Sequence, residues 1–195
     1  MILSNVELFA ALDAGRLVIL PEPSPRRPSI GHPDCPFDTH SVDLRLADEI
    51  AVPEPGQFAY DLTEPGRIAD TISRHSKRVT ITRSQPYVLD PHTFVLGSTL
   101  ETVALPIDPA RETCLAARIE GKSSRARFGL LIHFTAPTVH PGFNGTLTLE
   151  MINLGPAKFA LIPGMHIAQL IVEEVRGIPF ENLSEFQDQS TPAGQ

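Results

Sequence analysis

The sequence predicts a mainly β protein, a sandwich or barrel of short strands, and three observations carry that expectation. Nineteen prolines and thirteen glycines in 195 residues interrupt the chain too often for long helices. Short apolar runs bounded by turn signals recur along its length. In the clearest of them, Gly145-Thr146-Leu147-Thr148-Leu149-Glu150-Met151, apolar and polar residues alternate strictly, the period of a strand.

The bulk properties bound the rest. At 42% hydrophobic and 20% charged, residues 1–195 read as one ordinary globular domain with its own core. Residues 177–195 are polar, with two phenylalanines, and form a candidate flexible tail; a frayed terminus is the plainer alternative. A net charge of −7 and a pI of about 5.4 argue against a nucleic-acid partner. Two isolated cysteines, Cys35 and Cys114, make no disulfide framework, so a reducing cytoplasm is the expected compartment. No apolar run approaches a membrane span, and the first residues carry no secretory signal pattern.

Element by element, Ser4 is placed to cap a helix over residues 5–14, with Leu8, Ala11 and Leu12 on one face and Gly15 stopping it. Arg16 to Leu20 is a short strand. Pro21 to Pro36 holds six prolines and must be loop. Near its end, His32, Asp34, Cys35 and His40 offer zinc-type ligands at a spacing that fits no common zinc module. Ser41 to Leu46 alternates as a half-buried strand, with Asp48-Glu49 and residues 53–56 as turns. Ile68 to Ser73 suits a helical turn, and strands are expected over 78–82, 87–89, 94–101, 114–119 and 130–135. Residues 159–162 and 166–175, joined by Pro163-Gly164, read as a hairpin.

Between the strand over 114–119 and the strand over 145–151 lies the densest polar chemistry. Gly121-Lys122-Ser123-Ser124-Arg125-Ala126-Arg127 packs two hydroxyls and three cations into one loop of an acidic chain. Arginine forks and backbone N–H groups suit phosphate oxygens, so an anionic small ligand is indicated; a solvated loop is the alternative. Glu150 shares a strand face with Thr146 and Thr148, a rigid mount for a general acid/base. On spacing alone a surface carboxylate on an open strand face is the plainer reading.

These segments resemble the dCTP deaminases of the trimeric dUTPase superfamily. The resemblance rests on Gly121-Lys122-Ser123-Ser124 with Arg127, then Thr135-Ala136, Pro141-Gly142-Phe143, Leu149-Glu150 and Pro163-Gly164-Met165. It extends upstream to Gly15-Arg16-Leu17 and Ser41-Val42-Asp43-Leu44-Arg45-Leu46, so it covers nearly the whole chain. It implies a dUTPase-like β-clip, a distorted jelly roll, assembled as a homotrimer with sites between subunits. The implied activity is hydrolysis of dCTP to dUTP and ammonia, with Mg2+ accompanying the triphosphate and dTTP as a possible inhibitor. It also implies roles: Glu150 as base, Ser123 and the Ala136 carbonyl holding the water, and Lys122, Ser123, Ser124, Arg125, Ala126 and Arg127 around the phosphates. His140 would meet the sugar, and Thr148 and Leu149 the cytosine through their backbone. Gln169 would lie near the triphosphate, with strand filler as the alternative, and Phe180 and Gln189 would belong to a closing tail.

Two points of chemistry follow. A zinc deaminase needs a Pro-Cys-x-x-Cys pair, which this chain lacks, so a metal-free route through a carboxylate is expected. The pattern is also departed from. Lys122 replaces an arginine and loses its bidentate fork. His140 stands where the family has aspartate before Pro-Gly, Pro137 replaces the usual Gly or His, and Glu185 stands where some members have lysine. The alternatives are therefore a dUTP diphosphatase or bifunctional enzyme, and a nucleotide-binding relative without turnover.

Overall fold

A computed structural model describes residues 1–29, 34–56, 68–180 and 187–194. The chain opens with helix α1 (Asn5–Asp13), started by a complete capping box: the Ser4 hydroxyl accepts the Glu7 N–H while the Glu7 carboxylate accepts the Ser4 N–H. Leu8 and Ala11 are the buried side chains of this helix, and Gly15 follows it with φ +64°. Strands β1 (Val18–Leu20), β2 (Val42–Arg45) and β3 (Glu49–Pro53) follow, then α2 (Ile68–Arg74), β4 (Ser76–Thr80), β5 (Tyr87–Leu89), β6 (Phe94–Ala104) and β7 (Thr113–Gly121). The one-turn helix α3 (Ser123–Ala126) leads to β8 (Leu130–Leu131), β9 (Thr138–Val139), β10 (Asn144–Asn153), β11 (Phe159–Leu161) and β12 (His166–Arg176).

Among the described residues these strands form three open antiparallel sheets and no barrel. The larger runs β4-β3-β6-β10-β8 with β1 also on β6; the second runs β2-β12-β7-β9; β5 and β11 pair separately. One apolar cluster joins the two main sheets. Leu44, Leu115, Ala117, Ile119, Leu170 and Val172 come from the second sheet; Val95, Val103, Leu147, Leu149 and Met151 come from the first. The alternation of β10 sets this up: Leu147, Leu149 and Met151 point into the core while Thr146, Thr148 and Glu150 take the other face. Gly97 of β6 sits where β10 crosses most closely, since a Cβ there would lie 2.6 Å from the Met151 methyl.

The first sheet is fastened to the second by a bulge in β6. Thr146 pairs with Thr102 but Thr148 with Ser98, so β6 carries extra residues between. The Thr99 hydroxyl bridges the gap, accepting the Leu147 N–H at 2.9 Å and donating to the Glu101 carbonyl at 2.7 Å. The bulge turns Leu100 outward and Glu101 fully inward. There the Glu101 carboxylate accepts two hydrogen bonds from Arg45 of β2, from its backbone N–H at 2.8 Å and its Nε at 2.6 Å.

Several expectations are corrected. Glu49 and Pro53, expected in turns, are instead the ends of strand β3, since Ile50 and Ala51 between them are buried against β6 and the tertiary partner overrides the turn residues. β4 begins two residues before the expected start at Arg78. β2 is covered on both faces, so Ser41 and Asp43 are buried instead of solvent-facing. The segment after Leu131 leaves the sheet at once, shortening the expected strand over 130–135, and a further strand, β9, forms beyond it. The loop after β7 contains a helical turn, α3, from Ser123 to Ala126. The expected hairpin is absent: β11 pairs with β5 and β12 with β2 and β7, so Pro163-Gly164 carries the chain from one sheet to another.

Cys35 and Cys114 are both free, and burial pushes the Cys114 thiol up. No helix of the described residues is long and apolar enough to cross a membrane.

A buried carboxylate with one cationic partner is costly to strand. Arg45→Met should destabilise the fold by about 3–5 kcal/mol, and Arg45→Met with Glu101→Leu should recover most of that loss. Urea unfolding of the two variants measures both; a single variant within about 1 kcal/mol of wild type would contradict the assigned role of the pair.

Candidate functional site

The basic loop is delivered by β7. Its last residue, Gly121, pairs with Ala168 of β12, and the chain then turns into α3 with Lys122 at the N-cap. This short turn displays Ser123, Ser124, Ala126 and Arg127 to solvent. Lys122 and Arg125 are anchored instead. The Lys122 ammonium is hydrogen-bonded to the Asp43 carboxylate of β2, and the Arg125 Nε donates to the His166 carbonyl of β12 at 3.0 Å. Both anchors lie on the neighbouring strands of the second sheet, so the loop sits rigidly on that sheet.

Asp43 gathers more than Lys122. It is 7% exposed, and the Gln169 amide and the His166 Nδ1 lie 3.4 and 3.7 Å from its oxygens. Gln169 also reaches Asp38 and Ser41 at 3.3 and 3.4 Å. The structure therefore brings Gln169 together with Lys122 through a shared acid. Asp43 and His166 escaped the sequence reading of the site. Asp43 looked like the outer face of a half-buried strand, and nothing in the sequence announces that β12 lays His166 beside it.

Glu150 belongs to the other sheet. It sits on β10 opposite Leu96, half-buried, and its Oε2 accepts the Phe134 N–H at 3.0 Å. That N–H comes from the segment over 132–137, which spans the two sheets. At one end β8 pairs with Ile152 and Asn153 of β10. At the other, the Pro137 carbonyl accepts the Ile119 N–H at 2.8 Å and β9 pairs with β7. The Phe134 ring packs against Phe94, with centroids 5.7 Å apart, which steadies the N–H in front of Glu150. Thr135 and Ala136 follow immediately and are exposed. One continuous run, from Ser123 through α3 and β8 to Ala136, thus connects the basic loop to the carboxylate.

The remaining predicted residues are spread around this run. Thr148 is half-buried beside Glu150, whereas the Leu149 side chain is wholly in the core and leaves only its backbone for a ligand. His140 is exposed in the turn from β9 to β10, where its carbonyl accepts the Phe143 N–H at 3.2 Å. Phe180 is 91% exposed. Residues 187–189 are docked along the start of β10. The Gln189 amide donates to the Thr146 carbonyl at 2.6 Å, the Gln189 carbonyl accepts the Thr146 N–H at 3.0 Å, and Gln187 donates to the Gly142 carbonyl at 3.0 Å. Gln189 is thereby committed to β10, on the strand that carries Glu150. Glu185 and His32 lie outside the described residues. Among the described residues, no group of three His, Cys, Asp or Glu side chains is placed to hold a metal ion.

Open antiparallel sheets, with a basic turn on one and a strand-borne carboxylate on another, make up this mainly β fold. Residues 2–175 match the dCTP deaminase-like family, and the chain belongs to it. It is 36% identical over 197 residues to a dCTP deaminase of Haloarcula marismortui, covering 98% of this chain and 92% of that one. It is 41% identical over 171 residues to a dUMP-forming dCTP deaminase of Mycobacterium sp. strain KMS, covering 87% and 78%. Among solved structures, the 2'-deoxycytidine 5'-triphosphate deaminase of Agrobacterium tumefaciens shares the fold, with a TM-score of 0.61 at 18% identity. The match covers 89% of this chain and 47% of that one, so this chain spans about half its length.

Tail docking depends on Gly145. Its φ of +148° disfavours other residues, and a Cβ there would meet the Gln189 carbonyl oxygen at 2.9 Å. Gly145→Ala should release residues 187–194 and make the C-terminus measurably faster to proteolyse while the sheets persist; unchanged cleavage at the tail would show that it does not depend on this contact.

Proposed function

We propose that this chain hydrolyses dCTP to dUTP and ammonia without zinc, with Glu150 as the general base. One observation supports the reading most: the half-buried Glu150 carboxylate is oriented by the Phe134 N–H, from the same segment that carries Ala136. The substrate would be the magnesium complex of dCTP, with the metal held by phosphate oxygens and water.

In this reading Lys122, Ser124, Arg127 and the backbone of Arg125 and Ala126 hold the triphosphate, with Gln169 beside it. His140 meets the deoxyribose, and the backbone of Thr148 and Leu149 meets the cytosine. The Ser123 hydroxyl and the Ala136 carbonyl fix a water near C4. Glu150 takes a proton from that water, and the hydroxide adds to C4. The C4–N4 bond then breaks, and the proton passes from Glu150 to the departing amine, so that dCTP and water become dUTP and ammonia. The Phe134 hydrogen bond fixes which carboxylate oxygen faces the water. The tail, anchored on β10 through Gln189, covers the bound nucleotide with Phe180. The assembly is a homotrimer in which the basic turn of one subunit faces Glu150 of another, and dTTP competes for the site.

A second reading, release of dUMP, is favoured by the dUMP-forming name of the Mycobacterium relative at 41% identity. His140 speaks against it. A neutral imidazole offers one acceptor nitrogen where an aspartate offers two oxygens, and a protonated one offers none, so it is a poor guide for a water attacking phosphorus. A sugar hydroxyl accepts either form. Incubation with magnesium and dCTP should give ammonia and dUTP in equal amounts. Diphosphate and dUMP rising in step with ammonia would establish the second reading, and no ammonia would defeat both.

Glu150→Gln should lower turnover by about 10²–10⁴-fold with assembly intact, as expected for loss of a general base. Arg127→Ala should weaken dCTP binding by roughly tenfold or more through loss of a charge-assisted phosphate contact. If sites are shared between subunits, unfolding and refolding the two variants together should restore part of the activity. Two inert variants that stay inert when mixed would place both residues in one subunit.

A further inference from the structure

Lys122 is asked to do two things. In the structure its ammonium is held by Asp43, a carboxylate almost out of contact with water. In the proposed site, on which this inference rests, it turns to a phosphate. A buried carboxylate deprived of its cation is expensive, so some other donor must replace Lys122 when the nucleotide arrives. The groups around Asp43 identify that donor. Arg45 of β2 is committed to Glu101. Arg125 of α3 is committed through its Nε to the His166 carbonyl. Gln169 is neutral and already divided among Asp38, Ser41 and Asp43. Glu120, opposite Gln169 on β7, is an acid and lies 3.4 Å from His133 Nε2. His166 remains: its Nδ1 is 3.7 Å from the same Asp43 oxygen that holds Lys122, and its side chain is 34% exposed, open to solvent protons.

We propose that His166 is a positioning residue that takes up a proton as the triphosphate binds, pairs with Asp43, and frees Lys122 for the phosphates. The exchange balances in charge. Lys122 moves from one anion to another, and one proton from solvent goes to the imidazole, the side chain whose charge changes near neutral pH. The direction of the pH dependence follows. Binding that consumes a proton weakens as pH rises, so triphosphate affinity should decline across about pH 6 to 8 beyond any decline due to the nucleotide's own ionisation. A monophosphate that does not reach Lys122 should show no such uptake.

The test is calorimetric titration of dCTP with magnesium into the full-length Glu150→Gln protein, in buffers of different ionisation enthalpy, which counts protons exchanged. Three forms are compared: His166 intact, His166→Gln and His166→Lys. The nucleotide's own protons are common to all three, so differences belong to residue 166. The intact form should take up as much as about one proton more than either variant within the window where imidazole titrates. His166→Gln should bind dCTP about tenfold more weakly, since its amide cannot replace the lost charge. His166→Lys, cationic throughout, should bind as well as the intact form at low pH and lose the extra pH dependence. Equal proton counts in all three, with dCTP bound, would overturn the exchange and leave the proposed activity standing. Failure of dCTP to bind any of them would overturn both.

Discussion

The pair formed by Arg45 and Glu101 is the constraint from which the rest of the architecture follows. A carboxylate with no solvent exposure has to be matched by a donor of fixed position, and Arg45 supplies both its backbone N–H and its side chain. That fixes β2 of one sheet against the bulge in β6 of the other. β2 then carries Asp43 two residues away, on the same side of the strand, where it reaches Lys122. β6 carries β10 in register, and β10 carries Glu150. The placement of cation loop and carboxylate therefore descends from one buried ion pair and one extra stretch of β6.

The second organising feature is the segment over 132–137, which has no sheet pairing of its own and bridges both sheets. Its backbone groups are spent on orientation: the Phe134 N–H on Glu150 and the Pro137 carbonyl on Ile119. Because its ends are tied to β10 and β7, its middle is held in place without regular secondary structure. A segment held in that way can offer a carbonyl, that of Ala136, to a small ligand, which a paired strand could not. The electrostatics are equally divided. Ser123, Ser124 and Arg127 stand open, while Lys122 and Arg125 are tethered to the sheet. The open residues suit a ligand that comes and goes; the Arg125 tether sets where the turn sits.

Much of this was legible in the residues. The strict alternation over 145–151 placed Glu150 on the face opposite the core, and Ser4 marked the start of α1. What misled was local chemistry without its partner. Asp48, Glu49 and Pro53 look like turn residues, yet Ile50 and Ala51 bury against β6 and make β3. Pro163-Gly164 looks like a hairpin turn, yet β11 and β12 find partners in different sheets. Alternation in β2 suggested one wet face, but β12 and the loop at Lys122 cover it.

The sequence by itself determined the class of the fold, the facing of side chains along β10, the basic turn and, through the order of its motifs, the family. These are properties of residues near one another in the chain, where side-chain period and turn chemistry act directly. The tertiary structure alone decided which acid holds Lys122, which backbone N–H orients Glu150, and that His166 stands beside Asp43. Each of those contacts joins residues from 16 to 123 positions apart, as with Phe134 and Glu150 or Asp43 and His166. No local preference encodes such a meeting; it exists only once the sheets have paired and packed.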